Sequence, residues 1–188
     1  MSVRSVLLLS GPLAVGKTAV RVELMSAHGF GYVRSSEYLR GIAKAERLAI
    51  ERGSLQYLGD RLDVTTDYRW LIDDVARPAI EGNLQKALWI VDAVRKVRQI
   101  EHFRSAFASA VYHVHFTATE QELRRRYIDR QREHGSKADL TPYEVAIDHD
   151  NERFSRSLID HADLVVDLTT ASSREAADFI VKALKRRF

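Results

Sequence analysis

Apolar residues gather into five short runs: Val3–Leu9 (VRSVLLL), Gly31–Val33, Ala87–Val91 (ALWIV), Ala110–Phe116 (AVYHVHF) and Leu164–Leu168 (LVVDL). Runs of that length, stopped by turn residues such as Ser10-Gly11-Pro12, suit strands covered on both faces of a parallel sheet. Between them the apolar spacing becomes helical. Thr18–Ala27 carries Ala19, Val20, Val22 and Leu24 and stops near Gly29. Further helices are expected over 37–51, Tyr68–Glu81 (with Pro78 set to end or kink it), 97–108, Glu120–Arg132, from Thr141-Pro142 to about Leu158, and Ser172–Arg187. Gly53-Ser54 is read as a break before residues 55–65, and Gly135–Leu140 as a second, polar break. Strands alternating with helices imply βαβ units and a parallel sheet. No internal repeat and no linker divides the chain, so one domain over residues 1–188 is expected.

Composition narrows the class. The chain has 188 residues, 45% of them hydrophobic and 29% charged, which excludes collagen-like and wholly disordered sequences. It has no cysteine, so disulfides, thiol catalysis and thiolate zinc sites are excluded. The net charge of +3 suggests a polyanionic partner until the charges are located. Lys182, Lys185, Arg186 and Arg187 carry four positive charges in the last seven residues, which leaves residues 1–181 at −1. That block reads as a solvated helix end, with nucleic acid an open but not favoured partner. The run Val6–Leu9 is too short for a membrane span or signal segment, and a cytoplasmic protein without a membrane partner is expected.

The chemistry begins at Gly11-Pro12-Leu13-Ala14-Val15-Gly16-Lys17-Thr18, a full G-x-x-x-x-G-K-S/T match placed between an expected strand and an expected helix. The two glycines let the backbone curl so that its N–H groups face a phosphate. The helix N-terminus adds partial positive charge, Lys17 can reach the β- and γ-phosphates, and the Thr18 hydroxyl can ligate Mg²⁺. ATP or GTP with Mg²⁺ is the cofactor these residues fit.

With the loop in place, further stretches resemble the P-loop nucleoside monophosphate kinase-like superfamily, in particular adenylate kinases and dephospho-CoA-kinase-like proteins. Ser35-Ser36-Glu37-Tyr38-Leu39-Arg40 resembles the family pattern T-G-D-x-L-R, with Glu37 for aspartate and Ser36 for glycine. Asp92-Ala93-Val94-Arg95 is similar to D-G-x-R, with Ala93 for glycine. The resemblance implies that Arg40 and Arg95 grip an acceptor phosphate and that Asp92 holds Mg²⁺ together with Thr18. It also implies a lid over residues 124–141 whose arginines, Arg126 and Arg130 one turn apart among Arg124, Arg125 and Arg132, close on ATP. Asp150-Asn151-Glu152 and Ala162-Asp163-Leu164-Val165-Val166 resemble further dephospho-CoA-kinase-like patterns, although Asp163 also reads as a cap before the last strand. The implied fold is a three-layer α/β P-loop NTPase with a central five-stranded parallel sheet, a helical acceptor-binding region over 35–82 and a short lid.

The resemblance points to an ATP-dependent phosphotransferase acting on a nucleotide or nucleotide-like acceptor, with Lys17, Asp92, Arg126, Arg130 and Glu37 as the catalytic set. Two alternatives stay open. In one, Glu37 takes the proton of a hydroxyl acceptor, on a metabolite or a nucleic acid. In the other, the protein is an ATP-binding regulator without transfer activity. Outside this set, Tyr57, Tyr68 and Trp70 are weighed as base-stacking groups against core residues, and Gly59-Asp60 and Arg61 as acceptor contacts without a motif. His113 and His115 face one side of a strand, without a third metal ligand nearby.

Overall fold

The computed structural model describes residues 5–83, 85–134 and 141–187. Strands β1 (Ser5–Ser10), β2 (Gly31–Tyr32), β3 (Leu88–Val91), β4 (Val111–Thr117) and β5 (Leu164–Asp167) form one all-parallel sheet in the order β2-β3-β1-β4-β5. The expected five-stranded sheet is therefore present, with β1 at its centre. Its alternation explains the placement. Leu7 and Leu9 join a core with Val20, Leu24, Phe116 and Ile180, while Val6 and Leu8 join a second core with Trp70, Ile72, Ile100 and Phe103. A strand buried on both faces has to be apolar throughout.

The helices are α1 (Lys17–His28), α2 (Ser35–Ala45), α3 (Arg52–Thr65), α4 (Arg77–Glu81), α5 (Val97–Phe107), α6 (Glu120–His134), α7 (Tyr143–Ile147), α8 (Asp150–Ser157) and α9 (Ser173–Arg187). Helix α1 leaves β1 on the face shared with α9, and α5 leaves β3 on the opposite face. The loops after β1 and β3 therefore diverge, opening a crevice at the carboxyl ends of the strands where ligands of such sheets bind.

Four expected boundaries move. The helix expected over 37–51 stops at Ala45, because Arg47 turns left-handed at φ 57° and Leu48 N–H closes on Ala43 O at 2.8 Å. That is a Schellman-type end made without the usual glycine. Gly53-Ser54 does not interrupt the chain but lies inside α3, where Gly53 faces open space. The helix expected over 68–81 starts at Leu71 with a π-helical turn, Leu71–Ala76, and regains α geometry just before Pro78, whose missing N–H breaks the regular ladder. The helix expected from Thr141 to Leu158 divides at Asp148-His149, where His149 is extended and its Nδ1 caps α8 by accepting Asn151 N–H at 3.2 Å. The polar break at Gly135–Leu140, which forms most of the expected lid tip, lies outside the described residues.

Candidate active site

The loop from Gly11 to Thr18 sits at the exit of β1, in the middle of the sheet. Gly11 has φ +137°, and a Cβ there would lie 2.5 Å from Phe116 O on β4. Gly16, at φ +109°, opens α1. Both positions need a residue without a side chain. Among the others, Ala14 also takes a positive φ of 63°, and Val15 packs into the core at 1% exposure. Pro12 O accepts Val15 N–H at 3.3 Å, which curls the loop back on itself.

Lys17 folds over this curl, its ammonium donating to Gly11 O at 2.5 Å and to Pro12 O at 3.4 Å. Desolvation lowers its pKa to about 8; Arg95 adds to that, while Glu152 and Asp92 oppose it. A partly desolvated cation held on its own loop fits a phosphate that would take over those hydrogen bonds. The Thr18 hydroxyl is exposed in the first turn of α1 and has no protein partner among the described residues. Asp92, just beyond β3, is held by Arg21 at 2.9 Å and by the Tyr32 hydroxyl, which donates at 2.9 Å. The Arg21 guanidinium lies 4.1 Å from the centre of the Tyr32 ring. Burial and Asp92 together push the Tyr32 hydroxyl up to about 12, so it stays a donor. Thr18 and Asp92 offer oxygen ligands suited to Mg²⁺, which binds through one or two protein groups plus phosphate and water. Among the described residues no cluster of three or more His, Asp or Glu forms a metal cage of its own.

Helix α8 reaches this loop from the side. Glu152 Oε1 accepts Leu13 N–H at 2.8 Å and Arg156 Nε–H at 3.1 Å, and the Ser155 hydroxyl donates to Gly11 O at 3.0 Å. One residue earlier, Asn151 donates to Asp60 on α3 at 2.8 Å. The Gln56 amide nitrogen also lies 2.6 Å from His149 Nε2.

Two lobes of one cleft result. The lobe of about 670 Å³ is lined by Gly11, Lys17, Asp92, Glu152 and Ser155. The neighbouring lobe of about 410 Å³ is lined by Ser35, Ser36, Arg40, Asp60, Asp63 and Trp70. Glu51, Gln56, Arg95 and Asn151 line both, so the lobes are continuous. Arg40 and Arg95 are brought together at this second lobe; neither has an ion-pair partner among the described residues. Glu37 is not brought in. It pairs with Arg34 at 2.7 Å, both side chains exposed, and lines neither lobe.

The α6 arginines differ from one another. Arg126 spends its guanidinium on Glu122 at 2.7 Å, on Val15 O of the loop at 2.8 Å and on Leu168 O at 2.7 Å. It braces the loop against the exit of β5. Arg130 is exposed and lies 5.5 Å from the Tyr127 ring centre. Arg124, Arg125 and Arg132 pair with Glu144, with Glu122 and Asp129, and with Asp129 on the helix surface.

Behind the loop, His113 and His115 are fully buried and meet Ser10. His113 Nδ1 donates to His161 O at 3.0 Å, so its neutral ring must accept the Ser10 proton at Nε2, 2.6 Å away. Ser10 Oγ is then left to accept from His115 Nδ1 at 2.9 Å. Burial lowers both imidazoles, His115 to about 4, with His113 and Lys17 adding to the effect on His115. Asp163 Oδ2 accepts His113 N–H at 2.7 Å, which is the capping role open to it from the sequence.

Of the aromatic candidates, Trp70 is a core residue at 5% exposure, stacked 6.0 Å from Tyr38, whereas Tyr57 is 60% exposed on α3 beside Arg61. Sequence reasoning gave no role to Asp63, Gln99 or Ser155. The Trp70 indole N–H and the Gln99 amide donate to Asp63 Oδ1 at 2.7 and 3.1 Å, and Gln99 Oε1 accepts Arg95 N–H at 2.9 Å. No local signal marked Asp63, which is 7% exposed but does not share a helix face with Leu55, Leu58 and Leu62.

A glycine-lined loop at the centre of a β2-β3-β1-β4-β5 parallel sheet, with a two-lobed crevice beside it, defines a P-loop fold of the nucleoside monophosphate kinase-like type. Residues 6–156 match the family model of an AAA domain, and the chain belongs to that family. No curated protein shows significant sequence similarity to it. Among solved structures it is similar to a gluconokinase from Sinorhizobium meliloti 1021, at a TM-score of 0.52 and 11% identity, over 99% of this chain and 94% of that one. A sugar kinase from Janibacter sp. HTCC2649 gives a TM-score of 0.56 and 14% identity over 97% and 95%. Guanylate kinase from Anaplasma phagocytophilum gives 0.50 and 18% over 98% and 86%. These likenesses share the fold. Among the described residues, no helix is long and apolar enough to cross a membrane.

Proposed function

We propose that residues 1–188 form one kinase domain that transfers the γ-phosphoryl group of ATP (or GTP), with Mg²⁺, to a phosphate of a small nucleotide-like acceptor. The observation that carries this reading is the continuity of the cleft, with Lys17 and Asp92 in one lobe, Arg40 in the other and Arg95 between them. Two guanidinium groups along one lobe, without carboxylate partners among the described residues, favour an anionic acceptor. A phosphate acceptor is already ionised and needs no general base, which agrees with Glu37 lying outside the cleft. Mg²⁺ would supply charge neutralisation between Thr18, Asp92 and the phosphates; Lys17 and Arg95 position the groups on either side. Arg126 holds the loop from behind, and Arg130 is the exposed α6 arginine without an ion pair among the described residues, left for closure.

A hydroxyl acceptor is the second reading, favoured by the sugar-kinase and gluconokinase names of similar structures and by the carboxylates of Asp60, Asp63 and Glu152 along the cleft. Incubation with MgATP and a panel of nucleoside monophosphates, dephospho-CoA, nucleosides, sugars and oligonucleotides separates the readings by which acceptor consumes ATP. Turnover with nucleoside monophosphates, lost in Lys17→Ala and kept in Glu37→Gln, is the expected result. Turnover with a hydroxyl acceptor alone replaces it with the second reading. Tight ATP binding with no consuming acceptor makes the protein a nucleotide-binding regulator.

A further inference from the structure

Asp63 combines three properties that no residue of the donor lobe shares. It is 7% exposed, it lines the acceptor lobe, and its two hydrogen bonds both end on one oxygen. The Trp70 indole N–H and the Gln99 amide converge on Oδ1 from two separate elements and fix the carboxyl plane. Oδ2 has no hydrogen-bond partner among the described residues, which leaves it as the oxygen available to a molecule in the lobe. Lys96 and Asp60 act on the group only at longer range, and burial raises its pKa. A scaffold for Trp70 and Gln99 alone needs one acceptor oxygen. A carboxylate supplies a second, and here that oxygen, without a protein partner among the described residues, is not shut away from the lobe that Asp63 lines.

We propose that Asp63 is the specificity-determining residue of the acceptor lobe, its Oδ2 accepting a hydrogen bond from an N–H or O–H group of the acceptor. This rests on the small-molecule kinase reading above and names what that acceptor carries: an anion for Arg40 and Arg95, and a hydrogen-bond donor at its other end for Asp63. Ser35 and Ser36 add smaller polar groups to the same wall, while Leu39, Leu55 and Ile50 supply apolar surface for the body of the molecule.

Asp63→Asn separates the two roles, because an asparagine Oδ1 still accepts from Trp70 and Gln99 while an NH₂ replaces Oδ2. Binding is measured by calorimetry with Mg²⁺ and a non-hydrolysable ATP analogue, so no turnover is required. The probes are pairs that differ by one donor group: GMP and IMP, AMP and purine riboside 5′-monophosphate, each ribonucleotide and its 2′-deoxy form, and glucose and 2-deoxyglucose. In the wild-type protein at least one pair should differ by roughly tenfold or more, the usual worth of a hydrogen bond to a charged group. Asp63→Asn should bring that pair to near parity, with the affinity for the ATP analogue and the melting temperature kept. Unchanged discrimination in the variant, an equal loss for both members of every pair, or no binding by any probe overturns the proposal. Should Asp63→Asn fail to fold, Asp63→Glu carries the same test, since the added methylene displaces the recognising oxygen. If only the glucose pair responds, the nucleotide reading fails while the role of Asp63 stands.

Discussion

The two lobes of the cleft are built on opposite terms. In the donor lobe the cation is already engaged: Lys17 lies against Gly11 O and Pro12 O, and Arg126 and Glu152 tie the loop to β5 and α8. In the acceptor lobe Arg40 and Arg95 are exposed and without an ion pair among the described residues, while the Asp63 carboxylate in the same lobe is buried and fixed. Under the proposed function a triphosphate would meet a preorganised cradle, whereas the acceptor would have to order two long side chains on arrival. Preorganisation favours binding energy in the first lobe and discrimination in the second.

Four outcomes would break or sharpen that contrast. Gly11→Ala carries the largest effect, since it combines a strained φ with a 2.5 Å approach to Phe116 O, which ought to cost about 3 kcal/mol or more and abolish ATP binding. Retained ATP binding in that variant would remove the cradle from the comparison. The buried His115 comes next. Its folded pKa of about 4 lies below the usual 6.5, so the unfolded chain binds the extra proton first. Stability should thus be complete above pH 6.5 and fall by up to about 3 kcal/mol as the pH drops to 4. Denaturant unfolding across that range measures the loss, and His115→Asn should make it shallower, leaving the part that belongs to His113.

Lys17 gives a smaller effect of the same kind. Its ammonium loses a proton near pH 8, so ATP affinity should fall about tenfold per unit above that value, with proton uptake on binding. Calorimetry in buffers of different ionisation enthalpy reads both, and a flat profile would mean that the lysine is not the phosphate ligand. The smallest effect contrasts with the first. Gly41, in the middle of α2 with nothing near its Cβ, should become Ala with a gain of roughly 0.5–1 kcal/mol and no change in ATP affinity.

The difference between the lobes also explains what the sequence could reveal. The donor site is contiguous, from Gly11 to Thr18, and its residue types follow from backbone curl and phosphate charge. The strands were equally plain as short apolar runs: β1, β3 and β4 are buried on both faces and carry no polar alternation to confuse them, whereas β5 leaves Val165 exposed. The acceptor lobe is assembled from α2, α3, the loop after β3 and α8, and no local spacing brings Asp63, Gln99 and Arg95 together. Arg40 and Arg95 were found through a resemblance and do reach one lobe. Glu37 came from the same pattern and pairs outside it. Helix ends were lost where the chain used an unusual residue, such as the left-handed Arg47, or tolerated a usual breaker, such as Gly53 within α3.

Helix α8 has a consequence for anyone who would rebuild this protein in pieces. Its residues alternate between masters: Asn151 holds Asp60 of α3, while Glu152 and Ser155 hold the loop. Grafting a foreign acceptor helix in place of residues 52–65 would orphan Asn151 and His149 and loosen the donor loop through their neighbour. The smallest exchangeable unit of specificity is therefore α3 together with α8, two segments about ninety residues apart in the chain that have to be transplanted as one.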